Sequence, residues 1–393
     1  MSKRFISATL LVLLFGGTGA VSCEKRNETS ALDAWEKMFD EPSAEPASED
    51  PSSDSSADPS EDEPSKDPDE DRWFKTRGIV AGWSDIYAPG NEYAIDYLKI
   101  AKDHHLNTFS VYNADRNSKA WKDYMTEASL IGVRFEFQEH MMSFLLPRSL
   151  YDTHPEYFRM DKSGKRVKDA NGCPSSEGAL KEVYNNAKRL GASYMPTNHR
   201  FYFWLDDGGD VCYCDKCNGL SASDQALMFE NKIIEALKEL DPDAMLAHLA
   251  YNNTTNAPKN VKPAKDIFLE FAPFHRTWAN ALSETWAEGN SGWTHAKYLR
   301  ALQENLKVFP VETAQVLEYW MDDSLFSGWK PSNLKEVPWS QKIFLDDLKT
   351  YAKYGIQHIT CYCAYVGPDY NKKFGFPQFL IDYADGLYDF VKE

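Results

Sequence analysis

Two adjacent carboxylates, Asp206 and Asp207, close the apolar run Phe201-Tyr202-Phe203-Trp204-Leu205 and are followed at once by Gly208-Gly209-Asp210. Neighbouring acids resist simultaneous ionisation, so one of them keeps its proton near neutral pH and serves as an acid. Glycines just beyond let backbone come close to a ligand. Inside a strand, adjacent side chains face opposite ways, but at its very end both can reach the same mouth. The pair therefore reads as general acid-base machinery, with a loop-stabilising Asp-Asp-Gly-Gly turn or a cation-binding aspartate as the plainer alternatives.

Other polar groups close apolar runs in the same way. Glu139-His140 ends one run and Tyr251-Asn252-Asn253 another. Glu270 lies in a third with His275-Arg276 just beyond it, and Glu318-Tyr319-Trp320-Met321-Asp322-Asp323 ends a fourth. Acids converging beside Trp83, Trp204, Trp278 and Trp320 fit a sugar site, because aromatic faces stack on pyranose rings while carboxylates move protons. If a protein carboxylate rather than the substrate is the nucleophile, Glu139 and Glu318 are the candidates to pair with Asp207. The proposed sugar contacts are Trp83, His140, Trp204, Tyr251, Asn252, Glu270, His275, Arg276, Tyr319, Trp320 and Asp322. His248 reads as an interior hydrogen-bonded histidine. Asp322-Asp323 lacks the spacing of a calcium loop and stands as a rim pair.

The elements that must position these groups follow from periodicity. Strands are expected over Gly78 to Trp83, Asn107 to Asn113, Gly132 to His140, Phe201 to Asp206, Met245 to Tyr251, Ile267 to Phe271, Ala314 to Trp320 and His358 to Val366. Helices are expected over Tyr93 to His105, Ala120 to Leu130, Glu177 to Leu190, Asp224 to Leu240, Thr294 to Val308, Ser340 to Tyr354 and Gln378 to Lys392, with Ser223 as the N-cap of the fourth. Strand and helix alternating this way close into an α/β (β/α)8 barrel of the TIM type over residues 73–393. Its active site belongs at the C-terminal strand ends, where the acids lie. The crossover Asn252 to Asp266 carries Pro258 and Pro263 and reads as a loop.

A resemblance sharpens the expectation. His154-Pro155-Glu156-Tyr157-Phe158, then Asp161-Lys162-Ser163-Gly164-Lys165-Arg166, Asn171-Gly172-Cys173-Pro174, and Asp207 ahead of Cys212-Tyr213-Cys214-Asp215-Lys216-Cys217 resemble the "domain of unknown function 4838" family. That family is glycosidase-like and common in glycan-foraging Bacteroidetes. Members grouped as glycoside hydrolase family 163 act as endo-β-N-acetylglucosaminidases on complex N-glycans, so the resemblance implies a retaining hexosaminidase that needs no cofactor. The Asp206-Asp207 pair is similar to the adjacent aspartates of family 84 hexosaminidases. That likeness implies Asp206 orienting the substrate's acetamide while Asp207 protonates the leaving oxygen. A different class of function also fits the same residues: a surface barrel that binds glycans without turning them over. A metal-dependent hydrolase or deacetylase is disfavoured by the few histidines at the strand ends.

Cys173, Cys212, Cys214 and Cys217 include a Cys-x-Cys-x-x-Cys run with metal-ligand spacing. A structural four-thiolate zinc site, disulfides and free buried thiols all remain open readings. A zinc with four thiolates has no open position and would take no part in catalysis. Cys361 and Cys363 share one face of the last strand and read as small core residues.

Charge and the N-terminus give the wider setting. Lys3 and Arg4 precede the apolar run Phe5 to Phe15, and Ala20-Val21-Ser22-Cys23 resembles a lipobox without the usual leucine. Residues 1–22 therefore read as a lipoprotein signal peptide, with lipidation at Cys23 and residence in a bacterial cell envelope, at the outer membrane. Ordinary cleavage nearby, leaving Cys23 free, is the alternative. Residues 23–72 read as a disordered tether, since from Asp40 to Asp71 fourteen acids face one lysine among prolines and serines. Its flexible reach is on the order of 40 Å. The chain's net charge of −17 falls mostly on that stretch. What remains carries no basic patch, which excludes nucleic acid as a partner and leaves a glycan and a membrane anchor.

Overall fold

The computed structural model describes residues 71–392. The expected signal peptide, the Cys23 anchor and nearly all of the acidic tether lie outside the described residues. Nine parallel strand segments are present: β1 (Thr76–Gly82), β2 (Thr108–Tyr112), β3 (Arg134–Glu136), β4 (Gln138–His140), β5 (Arg200–Trp204), β6 (Met245–Ala250), β7 (Ile267–Phe271), β8 (Gln315–Glu318) and β9 (His358–Tyr362). β1 pairs with both β2 and β9, and the ladder runs in sequence round to β4. The result is a nearly closed α/β barrel of the TIM type, as expected.

The single departure in the ring is instructive. β3 pairs with β2 and β4 pairs with β5, so the two segments are one barrel strand broken at Phe137. Side chains mend the break. The Ser110 hydroxyl accepts the Gln138 N–H at 2.9 Å, and the Thr197 hydroxyl accepts that of Phe135 at 2.7 Å.

Outside the ring lie α1 (Tyr97–His104), α2 (Lys119–Leu130), α3 (Glu177–Ser193), α4 (Ala222–Leu237), α5 (His295–Asn305), α6 (Gln341–Lys353) and α7 (Phe379–Tyr388). All seven expected helices form, with ends shifted by a few residues. The cap of α4 is Ser221 and not Ser223, because Ser221 and Asp224 close a reciprocal capping box. Ser223 lies within the helix and donates its hydroxyl to the carbonyls of Thr254 and Asn256. The crossover after β6 carries only a 3-10 turn, Asn252–Thr254.

Alternation along the strands fills the interior. Tyr202 and Trp204 from β5, Ala247 from β6, Phe268 from β7 and Leu317 from β8 pack in one buried cluster with Val80 and Tyr319. A polar layer runs through it. Tyr202 donates to Gln315 at 3.0 Å, Gln315 to Glu270 at 3.3 Å, and Gln138 to Glu136 at 3.0 Å. Such partners are what make buried polar groups tolerable.

Candidate active site

The C-terminal strand ends meet in an aromatic mouth. Tyr319 stacks on Tyr362 with ring centroids 5.3 Å apart, and Phe274 and Trp278 set their rings edge-on against Tyr319. Tyr112 and Tyr251 pack against the same cluster.

Asp206 and Asp207 stand at one side of this mouth, two and three residues past the end of β5. Asp206 lies one step above the inward series Tyr202-Trp204 and is paired with Arg148 from the segment after β4. Its backbone N–H donates to the Asn171 side chain at 3.0 Å. The guanidinium offsets the repulsion expected between the two carboxylates. Asp207 takes a hydrogen bond from Tyr251 and faces His275. Burial, then the charge of Asp207, push the Tyr251 phenol well above its ordinary range, so it stays a donor. Burial pulls His275 down, against the opposing charge of Asp207, so its ring is neutral at neutral pH.

The sequence candidates divide by strand parity. Asp206, His140, Tyr251 and Asn252 line one cavity of about 50 Å³. His140 bonds the Leu205 carbonyl and sets its ring edge-on to Trp204. Trp204 and Glu270 lie below, in the barrel interior, with the indole N–H donating to the carboxylate at 2.8 Å. Both are buried, which places them beneath the mouth. Glu139 points the other way from Gln138 and His140, onto Arg116 at 2.9 Å.

On β8, Leu317 and Tyr319 face inward, so Glu318 and Trp320 face α6. Glu318 is wholly buried. It takes hydrogen bonds from Arg276 at 2.7 Å, from Trp278 at 3.2 Å and from Tyr351. Arg276 also pairs with Asp347 at 2.8 Å, and Trp320 donates to Asp347 at 2.9 Å. Three residues read from sequence as facing the mouth, Arg276, Glu318 and Trp320, thus form a buried network behind its wall. Trp83 stacks on Tyr87 at 4.4 Å on the rim, beside Trp121 and Tyr124.

The strand-end rule, carried also to the first and second strands, would have added Asp85 and Tyr112 to Asp322. Asp85 follows β1, where burial outweighs the N–H groups of Tyr365 and Gly82 and pushes its carboxyl up to about 6. Tyr112 ends β2 and lies near both Asp85 and Asp322. Burial pushes Asp322 up to about 7, against hydrogen bonds from Ser324 and Leu325. These two acids carry protons for part of the neutral range. His248 is buried, its ring nitrogen 2.7 Å from Glu230 and stacked on Phe309, as an interior histidine should be.

Cys173, Cys212, Cys214 and Cys217 converge with all four sulfurs within 4.8 Å of one another, and none is in a disulfide. Cys361 and Cys363 are buried in the core.

A family model described as "Domain of unknown function (DUF4838)" matches residues 79–360. No curated protein matches the chain. Among solved structures, the chain is similar to a beta-N-acetylhexosaminidase from Bacteroides fragilis, at 10% identity and a TM-score of 0.47 over 79% of this chain and 65% of that one. The chain thus spans just under two thirds of that protein's length. A GH5-4 broad specificity endoglucanase from an uncultured bacterium is similar at 11% identity and a TM-score of 0.42, over 80% of this chain and 94% of that one. A Bacteroides ovatus GH5 xyloglucanase is similar at 14% identity and a TM-score of 0.42, over 79% of this chain and 74% of that one.

Proposed function

This chain belongs to the DUF4838 family, and on that footing we propose that it is a glycoside hydrolase acting on N-acetylhexosamine-containing glycans. The observation that carries the reading is Asp207 itself. It projects from the end of a barrel strand toward the mouth, takes a hydrogen bond from Tyr251, and has a second aspartate beside it held by Arg148. Both partners fix a carboxylate in place, which is what directed proton transfer requires.

In the proposed reaction Asp207 gives its proton to the glycosidic oxygen as the bond from that oxygen to the anomeric carbon breaks. The substrate's own acetamide oxygen bonds the anomeric carbon from the other face, oriented by Asp206. Water then displaces the acetamide oxygen, returning its proton to Asp207, with net retention at the anomeric carbon. Glu318, fully engaged by Arg276, Tyr351 and Trp278, is poorly placed to attack instead. No cofactor enters these steps. The test is hydrolysis of an aryl N-acetyl-β-hexosaminide and of an N-glycoprotein by the purified protein, against the same substrates lacking the acetamide. Equal rates on both kinds would remove the acetamide from the mechanism.

One observation favours a second reading. The cavity beside Asp206 holds about 50 Å³, well below the roughly 300 Å³ at which ligand pockets usually begin. So small a cavity beside the acids suits a barrel that binds glycans without turnover, and sugar binding without hydrolysis would establish it.

The protein's place is part of the same proposal: a lipid-anchored position in the bacterial envelope, with the acidic segment holding the barrel away from the membrane. Metabolic labelling with a fatty acid should mark the parent and not Cys23→Ser; label retained in the variant would contradict the anchor.

A further inference from the structure

We infer that Cys173, Cys212, Cys214 and Cys217 bind one structural zinc ion, and that this ion clamps the segment carrying Asp206 and Asp207 to the excursion between β4 and α3. A tetrahedral ion with metal–sulfur bonds of about 2.3 Å sets neighbouring sulfurs about 3.8 Å apart. The Cys173 and Cys214 sulfurs lie 3.7 Å apart, and all four fall within 4.8 Å of one another. All four are buried, which shields the ligands from exchange with water.

The surroundings are those of thiolates. The Met160 N–H points at the Cys212 sulfur from 3.3 Å, and the Arg166 guanidinium stands 3.8 Å from it. The Ser175 hydroxyl lies within 3.4 Å of Cys173, Cys214 and Cys217. Four thiolates around a divalent ion leave two negative charges, and donors of this kind are the usual outer partners of such a centre. Binding forms four metal–sulfur bonds and releases the thiol protons to solvent, with no change of oxidation state.

The need for a clamp follows from the excursion's build. Residues 141–176 hold one short helix, two 3-10 turns and isolated bridges at Phe158–Gly172 and Met160–Arg166. Its backbone bonds to itself are mostly local turns, and a metal is one way to tie such a segment to a distant one. Two residues before Cys173, Asn171 accepts the Asp206 N–H. A Cβ added at Gly209 would lie 2.5 Å from the Asn171 side chain and 2.6 Å from that of Ala170, so the two segments touch at a point only glycine permits. On the other flank Gln225 holds Cys212 by its N–H at 2.8 Å and its carbonyl at 3.0 Å, tying the cluster to α4. An ion joining Cys173 to the other three cysteines therefore fixes Asn171 against the Asp206 backbone. It does so whatever the mouth binds.

The full chain, purified without chelator, should contain about one zinc per molecule by mass spectrometry of the elements, and cobalt put in its place should give thiolate-to-cobalt charge-transfer absorption. Cys212→Ser should lower the metal content by about tenfold or more. Stripping zinc should raise amide exchange about tenfold or more across 158–173 and 206–217, leaving β7 protected. Stoichiometric disulfides among these cysteines in the intact mass, with no metal, would overturn the site. Zinc whose removal leaves exchange at 206–217 unchanged would overturn the clamp.

Discussion

Asp322 is buried past the end of β8, where burial lifts its carboxyl from 3.8 to about 7. The unfolded chain releases this proton near pH 4 and the folded chain only near pH 7. Stability is therefore lost as pH rises through that window, the reverse of a salt-bridged aspartate. Asp322→Asn should keep the cap on Ser324 and remove that slope, so its melting temperature should gain on the parent between pH 5 and 8; parallel curves would contradict the burial argument. Arg276 gives the opposite case. Replacing it with Met leaves Glu318 and Asp347 buried together without their cation, which should cost about 3–5 kcal/mol in urea denaturation. A loss below about 1 kcal/mol would mean the network is not what holds this wall. At this scale the sequence was readable where a residue ends a strand, as with Asp206, Asp207 and Tyr251. It misled where depth or parity was not followed: Trp204 and Glu270 face inward but lie below the mouth, and Glu318 and Trp320 alternate with Leu317 and Tyr319 to face the helices. The Arg148 pairing was beyond reach, because no periodicity tells where an irregular excursion brings its side chains.

The crossover after β6 shows how an element with no helix of its own is kept in order. Asp224, near the start of α4, accepts the N–H groups of Lys259, Asn260 and Val261, at 2.9, 2.7 and 2.9 Å, as well as bonding Ser221. Burial opposes its ionisation, but the N–H groups of Asn260 and Val261 and the Ser221 hydroxyl outweigh burial and hold the carboxyl well below the usual range. Its contribution is thus present above about pH 4 and fades as acid protonates it in the folded state. Asp224→Ala should destabilise the fold by about 2–4 kcal/mol at pH 7 and expose 256–263 to proteolysis. An intact crossover at unchanged stability would show that Pro258 and Pro263 suffice. That this stretch is a loop was legible from its two prolines. The capping box at Ser221 was missed because Ser223 lies nearer the apolar stripe, and the break at Phe137 because side chains of Ser110 and Thr197 replace ladder bonds that sequence spacing cannot assign.

For the whole molecule, eight strand signals with helices after all but one of them sufficed to give the barrel, since parallel strands with helical crossovers have few ways to close. Its ring leaves an aromatic mouth at the C-terminal ends, where Tyr112, Tyr251, Trp278, Tyr319 and Tyr362 gather. A ligand seated there stabilises the folded barrel by mass action, about 2.7 kcal/mol at a hundredfold excess over its Kd. Oligosaccharides of N-acetylglucosamine should therefore raise the melting temperature while glucose oligomers do so less; equal shifts would weaken the assignment to N-acetylhexosamines. The most direct test is release of N-acetylhexosamine or cleaved N-glycan from a glycoprotein by the purified protein beside its Asp207→Asn variant. Release by the parent that falls about 10²–10⁴-fold in the variant is the expected result. Release undiminished in the variant, or none from a parent that still binds the sugar, would contradict it.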